Sequence, residues 1–394
     1  MSRGKKKKRR RAMNTKISRM YCIQCGTVLE KGDYPYGCPH CLKAGRPSSV
    51  SFHYEGKWEV LEGARGMKRY ARMLPSENFP SLGEGNTPLI SIPPLAEKYG
   101  VGELWFKNEF QNPTGSHKDR MNPFIVARAK ETGHNVVAAA SSGNEGVSLA
   151  CYAALAGIEC KIVGTDAINP IWRAAIISAG AELIITPTAS DRWTLLREKM
   201  ESEGWFSATN MMEPPVGSCC FGLQGYKTIS YELYEEMEIL PDYIMVPVAR
   251  GDLLWGIYEG FAELKAAGRI GKIPHLIAAE PFPRIETING VEECQKTFAG
   301  EYEKTPSIGG TTVTVQSVTA LRESGGFAVS APQDLVEPSI RELGGYGLYL
   351  ESSSALPIAC LRKLRQEGTI PEGAGVLVIA TSHGFKNPPE MMLK

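Results

Sequence analysis

The 394-residue sequence lacks the features that would place it in a membrane, in a secretory pathway or on a polyanion. No stretch approaches the roughly 18 consecutive apolar residues of a membrane-spanning helix. No apolar segment follows the basic N-terminus, so a secretory signal is not expected. The net charge is only +1, with 44 basic and 43 acidic residues. Charges this evenly balanced create no overall positive potential that would attract nucleic acid, so nucleic acid is not an expected partner.

The ten cysteines divide into two groups. Six are scattered through apolar or mixed stretches, as expected of reduced, buried thiols in a cytoplasmic protein: Cys151, Cys160, Cys219, Cys220, Cys294 and Cys360. The other four form two CxxC pairs with twelve residues between them: Cys22, Cys25, Cys38 and Cys41. This spacing predicts a tetrahedral Zn²⁺ site in a zinc ribbon at 20–60. Because cysteine fills all four positions, the metal is expected to be structural and to fasten an N-terminal extension to the larger body.

Residues 1–19 are expected to form a basic, disordered tail. Seven consecutive basic residues run from Lys5 to Arg11, and such a block repels itself. It could be a nucleic-acid or nuclear-import patch, an inert solvated tail, or a stretch ahead of the true start, since Met13 and Met20 follow closely.

From about residue 75, short β-rich runs alternate with amphipathic helical stretches. The predicted strands are 103–107, 136–140, 160–163, 182–186, 243–247, 276–280 and 376–380. The predicted helices are 118–132, 145–157, 170–180, 222–238, 254–267, 332–344 and 353–367. This alternation predicts an α/β fold of two doubly wound units with mainly parallel sheets. A ligand is expected between the two sheets, at the C-terminal strand ends.

Lys118 is a candidate nucleophile because of its place in the segment WFKNEFQNPTGSHKDR (105–120). A strand ends near Lys107, a Pro/Gly turn follows, and Lys118 stands where a helix should begin. The positive end of the helix dipole favours a neutral lysine, which is the form that condenses with an aldehyde. A surface lysine in a turn is the alternative reading of this segment alone.

Six segments carry a resemblance to a known family: LGEGNTPL (82–89), KNEFQNPTGSHKDR (107–120), SSGNEG (141–146), LQGYKTISYEL (223–233), GLYLESSSA (347–355) and ATSHGFKNP (380–388). In this order they resemble the blocks of threonine synthases and, more broadly, of fold-type II pyridoxal-phosphate enzymes related to the tryptophan synthase β-subunit. Some members of that family also carry an N-terminal zinc ribbon. The resemblance implies pyridoxal 5′-phosphate as cofactor, a small amino acid as substrate and a homodimer. We accordingly expect a large cofactor-binding domain from 61–120 and 220–394, and a small α/β domain from 121–219.

The resemblance also implies roles for individual residues. Lys118 would hold the cofactor as a Schiff base and then move protons at the substrate Cα. Asn144 would hydrogen-bond the cofactor O3′, and the Thr381 hydroxyl would contact the pyridine nitrogen, a neutral partner that favours β/γ chemistry over transamination. The loop of Ser141, Ser142 and Gly143 would hold the substrate carboxylate with its backbone amides. Ser142 is in addition a candidate acid/base on the cofactor face opposite Lys118.

The predicted phosphate loop departs from the glycine-rich pattern of the family. It reads VPVARGDLLWG (246–256), and only Gly251 remains at the tight turn. Arg250 could bind phosphate through its guanidinium in place of lost amides. Asp252 is less favourable near a dianion, but as N-cap of the next helix it would point at backbone amides. The alternative is that this loop no longer binds phosphate.

Glu145 departs from the small hydroxyl residue that threonine synthases carry in the substrate pocket. Two like charges about 4 Å apart, at an effective dielectric near 20, repel by about 4 kcal/mol. An ionised Glu145 would discourage the phosphate of phosphohomoserine and suit a cationic substrate. With a pKa raised by burial it could instead act as a general acid or base. The alternative is that Glu145 turns away and pairs with a neighbouring cation.

Three functions therefore remain open on the sequence. The first is threonine synthase, which eliminates phosphate from phosphohomoserine and adds water at Cβ. The second is a related ammonia-lyase, dehydratase or β-replacement enzyme acting on another small amino acid. The third is a non-catalytic member of the fold that acts as a binding protein.

Overall fold

The structure is a computed structural model that describes residues 13–141 and 143–388. The basic run from Lys5 to Arg11 and the predicted catalytic Ser142 lie outside the described residues. Within the described ranges, no helix has both the length and the apolar character needed to cross a bilayer.

An antiparallel three-stranded sheet forms the N-terminal unit. Its strands are β1 (Ile17–Cys22), β2 (Val28–Leu29) and β3 (Val50–Tyr54), in the order β2-β1-β3. A short helix, α1 (Pro39–Lys43), follows Cys38. β1 begins within the segment expected to be a tail, because the side chains of Ile17 and Met20 are fully buried against this small core.

The largest sheet has six strands in the order β12-β11-β10-β13-β5-β4. Their bounds are β4 (Leu89–Ser91), β5 (Glu103–Lys107), β10 (Tyr243–Pro247), β11 (His275–Glu280), β12 (Phe327–Ser330) and β13 (Gly375–Ile379). All neighbours pair in parallel except the edge strand β4, which is antiparallel to β5. The central strands β10 and β13 are buried on both faces, as expected of a parallel sheet covered by helices on both sides.

A second, wholly parallel sheet has the order β8-β7-β6-β9. Its strands are β6 (Val136–Ala140), β7 (Glu159–Thr165), β8 (Glu182–Thr186) and β9 (Phe206–Ser207). The prediction of an α/β fold with two mainly parallel sheets and a small N-terminal unit is confirmed.

Helices connect and cover the strands of both large sheets. The α-helices are α2 (Pro93–Tyr99), α3 (Asn122–Thr132), α4 (Asn144–Ala156), α5 (Pro170–Ser178), α6 (Asp191–Glu203), α7 (Cys220–Leu223), α8 (Lys227–Glu236), α9 (Asp252–Ala266), α10 (Val315–Ser324), α11 (Val336–Gly345) and α12 (Ser352–Gln366). Short 3-10 helices occupy Gly66–Met73, Glu109–Gln111, His117–Arg120, Gln224–Tyr226, Ile285–Thr287, Val291–Gln295, Pro306–Ile308, Gln333–Leu335 and Gly384–Lys386. α3 and α4 each end at a glycine with positive φ, Gly133 and Gly157, which is the usual way to stop a helix at full length.

The topology collects four segments of the chain at the C-terminal ends of parallel strands. β5 leads to the turn that carries Lys118, and β6 leads to the loop before α4. β10 leads to the loop before α9, and β13 leads directly to Thr381. Ligands of open α/β sheets bind at this edge, so the fold places these four segments where a site is expected.

Candidate active site and candidate metal centre

Lys118 lies in the 3-10 turn His117–Arg120, on the connection that runs from β5 of the larger sheet through α3 to β6 of the smaller sheet. Its side chain is 20% exposed, so the amine does not face bulk solvent. The amine lies 3.6 Å from the Glu145 carboxylate and 5.9 Å from the centre of the Tyr226 ring. The neighbouring Asp119 carboxylate holds this turn to α4 by accepting the hydroxyl proton of Ser148 at 2.6 Å.

Glu145 points into the cleft from the first turn of α4, and its cationic neighbour is Lys118. Only 7% of Glu145 is exposed, and its two carboxylate oxygens have no hydrogen-bond partner among the described residues. Burial raises the pKa of the Glu145 carboxyl to about 7, although the Lys118 ammonium opposes the rise. Glu145 therefore does not turn away to a cation outside the cleft, and it titrates in the range where an acid/base group is useful.

Asn144 is held at the start of α4 by two hydrogen bonds. Its amide nitrogen donates to the buried Glu351 carboxylate at 2.8 Å, and its amide oxygen accepts from the Ser382 hydroxyl at 3.2 Å. An amide nitrogen has two protons, so one remains for a ligand oxygen. The predicted partner of the cofactor O3′ is thus oriented from both sides.

Thr381 is placed beside the Lys118 turn by the backbone, because the N–H of His117 donates to the Thr381 carbonyl at 2.9 Å. The Thr381 hydroxyl lies 2.6 Å from the Ser354 hydroxyl in α12. If Ser354 is the donor of that pair, the Thr381 proton is available to a ring nitrogen. His117 also contacts the Thr381 carbonyl with its ring, at 3.3 Å, and burial lowers the pKa of His117 well below its usual range, so this ring is neutral.

Several backbone amides and the Ser141 hydroxyl in the loop before α4 already form hydrogen bonds within the protein. The N–H of Ser141 donates to the Val163 carbonyl at 3.0 Å. The Ser141 hydroxyl accepts the N–H groups of Gly143 and Gly146, each at 3.2 Å. The predicted role of the Ser141 and Gly143 amides as carboxylate donors stays a prediction, and in this structure both amides already have protein acceptors.

The predicted N-cap role of Asp252 is wrong. Gly251, with φ of 84°, occupies the cap position, and Asp252 is the first residue of α9. The Asp252 carboxylate accepts the Ser218 hydroxyl at 2.6 Å and also the side-chain amide of Gln316. Because these groups draw the carboxylate aside, no side chain caps α9. The amides at the start of this 15-residue helix are therefore free to meet an anion.

Arg250 precedes this helix and makes no ion pair with any residue in the described ranges. Its guanidinium stacks on the Trp193 ring at 4.9 Å and makes one long hydrogen bond, of 3.4 Å, to Thr312. Burial lowers the pKa of Arg250 to about 10; the Asp252 carboxylate opposes this, and the nearby cations Arg284 and Arg192 add to it. A cation without a carboxylate partner beside an uncapped helix suits a phosphate group.

Sequence reasoning assigned no role to several residues that the structure brings to the cleft. The Tyr226 hydroxyl, the Asn122 side-chain oxygen and the Trp172 ring nitrogen are buried without a hydrogen-bond partner among the described residues. Glu351 and Ser354 hold Asn144 and Thr381, and both belong to the segment GLYLESSSA, whose polar character was the available signal. Buried polar groups are normally paired, so the unpaired set fits a polar ligand between Lys118, α4 and α9.

The four clustered cysteines form a candidate metal centre in the N-terminal unit. All four sulfurs lie within 4.8 Å of one another, with Cys22 to Cys41 at 3.6 Å and Cys25 to Cys38 at 3.9 Å. A tetrahedral Zn²⁺ with Zn–S bonds of about 2.3 Å holds its sulfurs about 3.8 Å apart. The arrangement therefore fits a four-thiolate zinc site.

Comparison with known proteins agrees with this geometry. The threonine synthase of Methanosarcina acetivorans is 32% identical over 386 residues, covering 93% of this chain and 92% of that protein. The threonine synthase of Methanocaldococcus jannaschii is 29% identical over 388 residues, with the same coverage. The structure of the processed threonine deaminase isoform 2 of Solanum lycopersicum superposes with a TM-score of 0.66 at 19% identity, covering 78% of this chain and 81% of that one, and so shares the fold. Residues 80–382 match the pyridoxal-phosphate dependent enzyme family. The chain belongs to this family.

Proposed function

We propose that this chain is a pyridoxal-phosphate-dependent lyase of the threonine synthase type, which converts O-phosphohomoserine and water to threonine and phosphate. The observation that carries the proposal is the arrangement around Lys118, where Asn144, Thr381 and the uncapped start of α9 meet at the C-terminal strand ends. The alignments with the two relatives named threonine synthase each cover 93% of this chain.

The cofactor fits the polar groups that the cleft leaves unpaired. Arg250 and the amides of α9 would hold its phosphate, Asn144 its O3′ and Thr381 its ring nitrogen. When bound, pyridoxal phosphate supplies an electron sink for the substrate Cα. Lys118 is the proposed point of covalent attachment and the base that removes the Cα proton.

Glu145 would assist Lys118 in moving protons. With a pKa of about 7, its carboxyl is divided between its two protonation states near neutral pH. At 3.6 Å from the amine, a small movement suffices for it to take up or return a proton. Ser142, which precedes Gly143, remains the proposed acid/base on the opposite face.

Phosphate release from O-phosphohomoserine tests this proposal. We expect the cofactor-loaded protein to release one phosphate for each threonine formed, and Lys118→Ala to lose both the reaction and the borohydride-sensitive absorbance. Lys130→Ala, a change of the exposed lysine in α3, is the matched control and should leave both intact. Cofactor binding without any phosphate release in the wild type would contradict the assigned reaction.

One observation favours a second function, that of a related ammonia-lyase, dehydratase or β-replacement enzyme. Glu145 is buried in the cleft beside Lys118, and in its ionised form its carboxylate would repel a dianionic substrate side chain. If Glu145 selects against phosphate, Glu145→Thr should raise kcat/KM for O-phosphohomoserine at least about tenfold, by removing a repulsion of a few kcal/mol. Glu182→Thr, at an exposed glutamate of β8, should have no effect. Efficient phosphohomoserine turnover by the wild type would argue against this second function.

We also propose Zn²⁺ as the ion of the four-cysteine site, with a structural role.

The division into a large unit of 61–120 and 220–394 and a small unit of 121–219 agrees with the residues that build the two large sheets and remains a proposal. A homodimer and a cytoplasmic location are proposed from the family resemblance and from the scattered thiols.

A further inference from the structure

A cavity of about 270 Å³ lies between the N-terminal unit and the small sheet, apart from the residues of the proposed active site. One wall comes from the N-terminal unit, around Tyr34 and Val50. The opposite wall comes from the edge strand β9 and from the segment that leads to α7. Neither the cysteine cluster nor the cofactor groups supply its lining, so the proposed reaction does not account for it.

The lining of this cavity combines five aromatic rings with small polar and apolar side chains. Its rings are those of Tyr34, His134, Trp205, Phe206 and Phe221. Asp33 is the one carboxylate among the lining residues, and Arg128 neutralises it through hydrogen bonds of 2.8 and 3.0 Å. Burial raises the pKa of the lining thiol of Cys219 to about 12, so this group is also uncharged. Such walls favour a flat, neutral ring over an ion.

Two wall residues are hydrogen-bonded to the loops of the proposed active site. The Thr209 hydroxyl accepts the N–H of Ala140, the residue before the loop that begins at Ser141. The Ser218 hydroxyl donates to Asp252 at the start of α9, and the Ser218 N–H contacts the same carboxylate at 3.3 Å. A movement of the 207–218 segment would therefore be transmitted through these hydrogen bonds to the loop that begins at Ser141 and to the predicted phosphate loop before α9.

We propose that this cavity binds a neutral, planar aromatic molecule of one or two rings and that its occupancy tightens the hold of the phosphate loop on the cofactor. The size is just below the usual range for drug-sized ligands, which suits a small ring system. A ring seated against Trp205 and Phe206 would immobilise the adjoining segment and keep Asp252 drawn away from the α9 amides through Ser218. The proposal concerns cofactor affinity and does not depend on the identity of the amino-acid substrate.

Calorimetric titration of the cofactor-loaded protein with benzimidazole, at a pH where it is neutral, tests the binding site. Benzoate and benzamidine, which carry a negative and a positive charge, are the matched ligands. We expect benzimidazole to bind at least about tenfold more tightly than either. Equal binding of a charged ligand, or no binding of benzimidazole, would overturn the proposal.

Two filling variants locate the binding. Met200→Trp and Val216→Trp each place a large ring in the cavity and should abolish benzimidazole binding. Val28→Trp makes the same enlargement at a position that is 59% exposed in the same N-terminal unit and should bind normally. Two filling variants are used because one of them could fail to fold. Undiminished binding in a folded filling variant would place the ligand elsewhere and refute the site.

The coupling to the cofactor is measured independently of turnover. Saturating benzimidazole should lower the dissociation constant of pyridoxal phosphate by about fivefold or more, and pyridoxal phosphate should tighten benzimidazole binding by the same factor. Ser218→Ala should retain benzimidazole binding and lose this mutual effect. A cofactor dissociation constant that benzimidazole leaves unchanged in the wild type would refute the coupling.

Discussion

The residue pair Lys118 and Glu145 determines the electrostatics of the cleft. The Lys118 amine and the Glu145 carboxylate are 3.6 Å apart and largely buried. Each charged form stabilises the other, which offsets part of the cost of burying a charge. Desolvation nevertheless outweighs the attraction for the carboxyl, because the pKa of Glu145 is raised to about 7 rather than lowered. Glu145 thus spends part of its time neutral at physiological pH.

The raised pKa of Glu145 makes a prediction about stability. The folded protein binds the Glu145 proton more tightly than the unfolded chain, so stability falls as pH rises from about 4.5 to about 7, and the full penalty remains above pH 7. Glu145→Gln removes this dependence. Relative to the wild type, its free energy of unfolding should therefore rise by about 3 kcal/mol between pH 4.5 and pH 7, measured by urea titration at each pH. An identical pH profile for variant and wild type would contradict the burial argument.

Side-chain identities in the cleft could be predicted from the sequence, but their directions could not. The motifs around Lys118, Asn144 and Thr381 are local, and the strand ends bring them together. The orientation of Asp252 depends instead on Ser218 and Gln316, which are 34 and 64 residues away in the chain. The N-cap was predicted from neighbouring residues alone. It was wrong because partners this far away in the sequence determine the orientation of the carboxylate.

At the scale of secondary structure, the strands were the most predictable elements. β5, β6, β8 and β10 have the predicted bounds because each is a short run of mainly apolar residues, mostly buried in β5, β6 and β10 and half-buried in the edge strand β8. α6 was not predicted, since Leu196 is its only fully buried residue and its apolar period is weak. β12 was not predicted because its apolar run is only three residues long, in a strand of four residues.

The start of α9 makes a second prediction. The Asp252 carboxylate is drawn aside by Ser218 and Gln316 but still belongs to the first turn of α9, whose amides are proposed to meet a phosphate dianion, and like charges repel. Asp252→Asn should therefore tighten pyridoxal phosphate binding by about tenfold, measured by equilibrium dialysis. Asp334→Asn, at an exposed aspartate, should leave the binding unchanged. Weaker cofactor binding in Asp252→Asn would instead show that the carboxylate supports the loop.

The N-terminal sheet makes a third prediction, on metal removal. Cys22→Ser should abolish zinc binding, measured by atomic absorption, and lower Tm by about 5–10 °C, because the proposed metal would substitute for a large apolar core in so small a unit. The turnover number of the folded variant should stay within about twofold of the wild type, since this unit contributes no residue to the proposed active site. Cys294→Ser, a buried thiol outside the cluster, should retain the zinc. A large fall in turnover with the fold intact would contradict a structural metal.

At the scale of the whole molecule, two parallel sheets meet at one cleft, and each contributes the loops at its C-terminal strand ends. The larger sheet provides the segments that carry Lys118, Thr381 and Gly251, and the smaller one provides Asn144 and Glu145. A cofactor bridging these loops would join the two sheets, so its binding should stabilise the protein as a whole. The resemblance of long, collinear motifs made this arrangement predictable, whereas the cavity beside β9 had no signature in the sequence.

The most direct test of this account is to find which lysine the cofactor occupies. The loaded protein is reduced with borohydride, digested and mapped by mass spectrometry. The account predicts one pyridoxyl group per chain, on Lys118. A label on another lysine would contradict it, for example on Lys386, whose amine donates to the Thr114 carbonyl in the turn before Lys118. No covalent label on a protein that retains bound cofactor would also contradict it.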